Sequence, residues 1–257
     1  MTAPRLEARA VTVGRRIQAS AAFSAGTLTA VIGENGAGKS TLLDCLCGVL
    51  IPAEGTVYLD GVDVARLSPQ QRAAQIASAG AGSVHDEGLT LLERLVQGLT
   101  AERGARMHID DAACARAEVV AAELDLLDHL PRHMECLSLG ERRRAHVARA
   151  LMLHAPSALV VDEPHTGVDV ARQQQVTTAL RRRAQGGAAV VFSVHDVAVA
   201  LDADIVLGLR AGRIVRSGPP AEVLTERGLA DIFGISGIQV VDGPNGRGVL
   251  LPRLGRE

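Results

Sequence analysis

The segment Gly33-Glu34-Asn35-Gly36-Ala37-Gly38-Lys39-Ser40 fits the pattern G-x-x-x-x-G-K-[ST]. On its N-terminal side, Leu28 to Ile32 is a mostly apolar run that reads as a buried strand. On the other side a helix is expected from about Lys39 to Cys47, stopped at Gly48 with Pro52 soon after. In such a strand, turn and helix the glycines let backbone amides face inward around phosphate oxygens, and the helix N-terminus adds a favourable dipole. Lys39 would set its ammonium on the β- and γ-phosphates of ATP, and Ser40 would ligate Mg²⁺. Gly33, Glu34, Asn35, Gly36, Ala37, Gly38, Lys39, Ser40 and Thr41 are therefore the candidate nucleotide-binding residues. Composition singles out the same place: of 27 basic residues Lys39 alone is lysine, and the other 26 are arginine. A compact ammonium fits a tight phosphate cradle that a planar guanidinium overfills.

Further along, the apolar run Ala158 to Val161 reads as a strand from which Asp162 and Glu163 emerge. In an open parallel sheet, ligands bind at that C-terminal edge. Asp162 is the candidate second Mg²⁺ ligand, and Glu163 the candidate general base that polarises the attacking water. Two acids after a strand can also cap the next helix. His195, at the end of the strand run Ala188 to Val194, reaches the same edge and could sense the γ-phosphate and hold the water. A capping or core histidine is the plainer alternative there.

Between these sites, Val57 to Leu59 reads as a strand, and Ser68-Pro69 as an N-cap with proline at the first helical position. From Gly88 to Leu137 the pattern is helical, with no strong strand signal. Ile205 to Leu209 and Arg213 to Val215, joined across Ala211-Gly212, read as a hairpin at the sheet edge. Alternating strands and helices imply an α/β fold with a mainly parallel sheet covered on both faces. One domain over 1–257 with a helical insertion is expected.

The remaining composition narrows the partners. At 257 residues and 47% hydrophobic content the chain can bury a large core. Its apolar runs, such as Gly187 to Phe192, are too short to cross a bilayer, and Met1 to Arg16 lacks a secretory apolar stretch, so a cytoplasmic location is expected. A formal net charge of -2 with one tyrosine, three phenylalanines and no tryptophan argues against nucleic acid as a partner. Cys45, Cys47, Cys114 and Cys136 are read as buried thiols, His129 and His133 as parts of a surface turn around Pro131, and the arginine runs 142–144 and 181–183 as solvated helix faces.

With Leu137-Ser138-Leu139-Gly140-Glu141-Arg142-Arg143-Arg144-Ala145 lying between the phosphate loop and the acidic strand, the chain resembles the nucleotide-binding subunits of ATP-binding cassette (ABC) transporters over nearly its full length. The resemblance implies a P-loop NTPase core, an N-terminal antiparallel β subdomain, a helical insertion at about 83–137 and a C-terminal extension at about 216–257. It implies a second ATP-binding subunit, with Ser138, Leu139, Gly140 and Glu141 facing the ATP of that partner. Asp169, in Thr166-Gly167-Val168-Asp169, would lie between the subunits, and His195 would be the switch histidine. Membrane permease subunits, and through them an extracytoplasmic solute-binding protein, complete the expected assembly on the inner face of the membrane.

Leu67-Ser68-Pro69-Gln70-Gln71-Arg72-Ala73 and the tail segments 232–234, 240–244 and 250–252 resemble importers of iron chelates, haem or cobalamin. Pro164-His165-Thr166-Gly167-Val168-Asp169 looks more like manganese and zinc importers. Three positions depart from the family: Ala81 replaces a glutamine, Leu139 the first glycine of the signature, and Val13 an aromatic residue that stacks on adenine, for which Arg15 or Arg16 is the candidate substitute. If the backbone at Leu139 must be left-handed, its side chain costs roughly 1–2 kcal/mol. ATP binding is expected to persist and hydrolysis to be slower than in close relatives. A degenerate subunit, or an ABC ATPase acting away from membranes, is the rival reading.

Overall fold

The computed structural model describes residues 4–15, 17–80, 88–100, 109–234, 238–242 and 248–252. β1 (Pro4–Val13) and β2 (Ile17–Ser24) form an antiparallel pair, and β3 (Leu28–Gly33) then runs fully buried into the glycine-rich loop and α1 (Lys39–Leu46). β4 (Glu54–Leu59) and β5 (Val62–Asp63) join β1 and β2 in an antiparallel sheet of order β2-β1-β4-β5. α2 (Pro69–Gln75) starts where the sequence places it: Ser68 and Gln71 form a reciprocal capping box, with Pro69 at the first helical position.

β6 (Ile76–Ala79) leads to α3 (Leu91–Val96), α4 (Asp111–Glu123) and α5 (Leu139–Leu151), with no described strand among them. The chain then alternates through β7 (Ala158–Val161), α6 (Val170–Gln185), β8 (Ala189–Ser193), α7 (Val197–Ala200), β9 (Ile205–Arg210) and β10 (Arg213–Gly218). These strands build a six-stranded sheet of order β10-β9-β3-β8-β7-β6. All its pairs are parallel except β9 with β10, the expected edge hairpin. α8 (Pro220–Val223), α9 (Glu226–Phe233) and the hairpin of β11 (Ile238–Asp242) with β12 (Gly248–Pro252) follow.

Alternate residues of the central strands face two cores. Leu28, Ala30, Ile32, Val190 and Phe192 pack on the side of the inserted helices. Val31, Ala189, Val191, Leu207 and Leu209 pack on the side of α1 and the antiparallel sheet. Burial on both faces is why these strands are continuous apolar runs instead of alternating ones. Among the described residues no helix is long and apolar enough to cross a membrane.

Two readings of charge are corrected. Arg144 is buried, and its Nη1 donates to the carbonyls of Leu124 at 2.5 Å and Asp125 at 3.0 Å, just beyond the C-terminus of α4. Arg183 donates to Leu151 O at 2.7 Å, and burial lowers its pKa. Helix ends leave carbonyls without partners, and a long guanidinium stem can satisfy them from inside the fold, which a run of arginines in sequence does not reveal. Cys45 and Cys47 are buried as expected, whereas Cys136 is exposed.

Candidate functional site

Two glycines shape the loop between β3 and α1. A Cβ at Gly33 would sit 2.2 Å from the carbonyl oxygen of Leu209, so only a bare backbone lets β3 pass β9 there. Gly38 caps α1 at φ 103°, in the left-handed region. The start of α1 opens on a cleft of about 270 Å³ shared by the loop, Ser40, Thr41 and Glu163. Lys39 is buried, and its Nζ donates to the carbonyls of Gly33 at 2.8 Å and Glu34 at 3.0 Å. Burial lowers its pKa, against the raising influence of Glu163 and Asp162. An ammonium held mainly by loop carbonyls, beside the amides of a helix N-terminus, is a strong site for a polyanion.

Across the cleft, β7 delivers Asp162 and Glu163. Ser193, the last residue of β8, ties them together: its hydroxyl donates to Asp162 Oδ1 and accepts from the Glu163 amide at 2.8 Å. Glu163 has φ +49°, a left-handed conformation that costs a non-glycine residue roughly 1–2 kcal/mol. Its Oε2 accepts from Thr166 Oγ1 at 3.2 Å, and its Oε1 lies 2.5 Å from His195 Nε2. His195 Nδ1 is 3.5 Å from Lys39 Nζ, so one imidazole spans ammonium and carboxylate. With Nε2–H directed at the carboxylate, Nδ1 remains an acceptor toward Lys39. Burial raises the Glu163 pKa, but the hydrogen bond from His195, with Thr166 and Lys39, outweighs it, and the net shift is downward. Glu163 is therefore ionised at neutral pH, the form in which it can accept a proton from water.

Sequence reasoning missed Ser193. Its signal was a lone hydroxyl inside the apolar run Ala188 to Val194, where an unpartnered polar group would be costly.

The family model described as ABC transporter matches residues 18–166, more than half of the chain. This chain belongs to the ABC transporter family. A hemin import ATP-binding protein HmuV of Myxococcus xanthus is 37% identical, over 90% of this chain and 88% of its own length. The protein of the same name from Bradyrhizobium diazoefficiens is 35% identical, over 84% of this chain and 81% of its own. The solved inward-facing structure of a metal-chelate type ABC transporter superposes with a TM-score of 0.80 over 98% of each chain, at 22% identity. The chain is an ATP-binding, ATP-hydrolysing subunit of this transporter family, with the α/β P-loop architecture expected for it.

Within this ABC subunit, Ser138 is the N-cap of α5, and its side chain and that of Glu141 form a capping box. Gly140 is required by close approach, since a Cβ there would lie 2.8 Å from Gly167 O. Leu139 opens the helix outside the left-handed region, so the condition for backbone strain is not met; its side chain is exposed and faces Gly167. Glu141 is committed internally: one oxygen accepts from the Ser138 amide at 2.7 Å and the other meets His129 Nε2 at 2.9 Å. Asp169 caps α6, accepting from the Arg172 amide at 3.2 Å and pairing with Arg172 Nη1 at 3.0 Å. Val13 is half-buried on β1 and Arg15 exposed, while Ala81 and Arg16 lie outside the described residues.

His165, two residues after Glu163, turns inward. It is buried, its Nε2 lies 2.9 Å from Thr177 Oγ1, and its ring meets Phe192 edge-on. Burial pushes its pKa down to about 4, against an opposing influence of Asp196. Because the folded pKa lies below the unfolded one, the unfolded chain takes up the proton first as pH falls. The contribution is full above about pH 6.5 and is lost on the way down to about 4, on the order of 3 kcal/mol. His165→Phe should flatten that part of the plot of melting temperature against pH, and an unchanged slope would refute this assignment.

Proposed function

We propose that this chain drives the import of haem or a related iron chelate, bound through a permease to the inner face of the cell membrane. The hydrolytic part rests on one observation, the continuous contact from Lys39 through His195 to Glu163 at the mouth of the phosphate loop. The transported class is supported by the relatives named for hemin import.

The amides of residues 33–41 and the Lys39 ammonium grip the β- and γ-phosphates. Glu163 takes a proton from the water whose oxygen attacks the γ-phosphorus, and ADP leaves with the bridging oxygen. His195 holds the Glu163 carboxylate in place and reports the γ-phosphate. Two hard oxygen donors, the Ser40 hydroxyl and the Asp162 carboxylate, fit Mg²⁺, which is commonly bound by one or two carboxylates together with phosphates and water. Consistent with that, no three His, Cys, Asp or Glu side chains among the described residues gather into a self-sufficient metal site. When bound, Mg²⁺ neutralises charge on the phosphates.

A second copy completes the site. The start of α5, from Ser138 through Leu139 and Gly140 to Glu141, approaches the γ-phosphate held by the partner, and Asp169 lies at the subunit boundary. The chain acts as one domain over 1–257, with its helical insertion at about 83–137 and an extension at about 216–257. A solute-binding protein delivers cargo to the permease from outside.

Proteoliposomes containing the subunit and the permease that co-purifies with it test the substrate. ATP-dependent accumulation of haemin, absent with Glu163→Gln, is expected. Accumulation of Mn²⁺ or Zn²⁺ instead would overturn the assignment.

A further inference from the structure

The short turn after α4 touches both ends of the surface that is turned toward the second subunit in the proposed reading. At one end His129 Nε2 lies 2.9 Å from Glu141 Oε1, while Glu141 Oε2 accepts the Ser138 amide at 2.7 Å. An ionised carboxylate only accepts, so His129 donates, and its bond fixes the carboxylate that in turn fixes the cap of α5. At the other end Asp125 Oδ2 receives Arg172 Nη2 at 2.9 Å and Nε at 3.1 Å. Arg172 Nη1 then holds Asp169 Oδ2 at 3.0 Å.

The turn itself is anchored. Buried Arg144 grips the carbonyls of Leu124 and Asp125, and Asp125 is held at φ +54°. Among the described residues His129 Nδ1 is buried without a hydrogen-bond partner, and the ring's polar contact there is with Glu141. Three residues separate Asp125 from His129, yet one reaches Ser138 and the other Asp169, each through a single intermediary.

We infer that Asp125 and His129 are positioning residues: the turn at 125–129 sets Ser138 and Asp169 in register with each other, so that both meet the second subunit's nucleotide together. The inference rests on the proposed reading of Ser138 and Asp169 as partner-facing. Neither positioning residue lines the cleft at the chain's own phosphate loop. Losing either bond should therefore leave one chain's affinity for ATP intact while raising the ATP concentration at which paired subunits turn over.

The variants are His129→Ala, His129→Gln, Asp125→Asn and Ser138→Ala in the intact subunit with its permease. Asparagine tolerates the left-handed backbone at 125 while removing the charge that makes the Arg172 contact an ion pair. Glutamine can place a donor where imidazole Nε2 stood. His129→Ala and Asp125→Asn should each raise the half-saturating ATP concentration by about fivefold, the net worth of one ordinary hydrogen bond. Direct ATP binding to the single chain should not change, and His129→Gln should recover most of the loss.

Normal half-saturation in His129→Ala and Asp125→Asn beside a clear defect in Ser138→Ala would overturn the inference alone. So would a lowered melting temperature with no change in half-saturation, which would make the turn merely structural. Wild-type behaviour of Ser138→Ala would overturn the partner-facing reading and the inference together.

Discussion

Glu163→Gln should lower kcat by about 10²–10⁴, the contribution of a positioned general base, or roughly 3–5 kcal/mol of barrier. Glutamine is nearly isosteric, and its carbonyl can still accept from His195 Nε2, so the histidine keeps its place 3.5 Å from Lys39. What disappears is the capacity to take a proton. The phosphate loop is untouched, and the affinity for ATP should stay near that of the native chain. The left-handed backbone at Glu163 persists too, because the Ser193 hydroxyl holds its amide. Single-turnover hydrolysis measured beside equilibrium ATP binding separates the two effects. Turnover within threefold of the native chain would mean that this subunit binds ATP passively while another hydrolyses it.

Lys39→Ala has the larger expected effect on binding. Removing the ammonium deletes two or more charge-assisted hydrogen bonds to phosphate, at about 1.5–3 kcal/mol each, which corresponds to about 10²–10³ or more in affinity. The fold should tolerate the change well. Burial opposes the lysine charge, as the lowered pKa records, and the carbonyls of Gly33 and Glu34 can turn to water. Lys39→Arg should also fail, because a planar guanidinium does not fit between two carbonyls at 2.8 and 3.0 Å and the imidazole behind them. Arginine serves at every other basic position of the chain, so recovery of binding in this variant would show that the single lysine is a matter of codon usage.

How legible each feature was depends on how local its cause is. The phosphate loop and the start of α2 are set by residues within a few positions of one another, and glycines, a Ser-Pro cap and an apolar strand suffice to specify them. The central strands are readable because burial on both faces leaves them almost entirely apolar, with Thr29 and Ser193 the buried polar residues in β3 and β8. Ser193 was hidden because its partners, Asp162 and Glu163, come from a neighbouring strand about thirty residues earlier. Arg144 and Arg183 were misread for a similar reason: the carbonyls they satisfy belong to other helices, and no pattern within 142–144 or 181–183 points at them. Strain at Leu139 depends on a left-handed backbone there, and the turn into α5 takes place at Ser138, an extended N-cap, so Leu139 is already helical.

The central claim is that backbone donors around Lys39 close on the terminal phosphates of ATP. Calorimetric titration of ATP into the folded subunit in magnesium buffer tests it most directly. One saturable site per chain, lost in Lys39→Ala while the melting temperature is unchanged, is the predicted result. A folded native chain that takes up no ATP would contradict it.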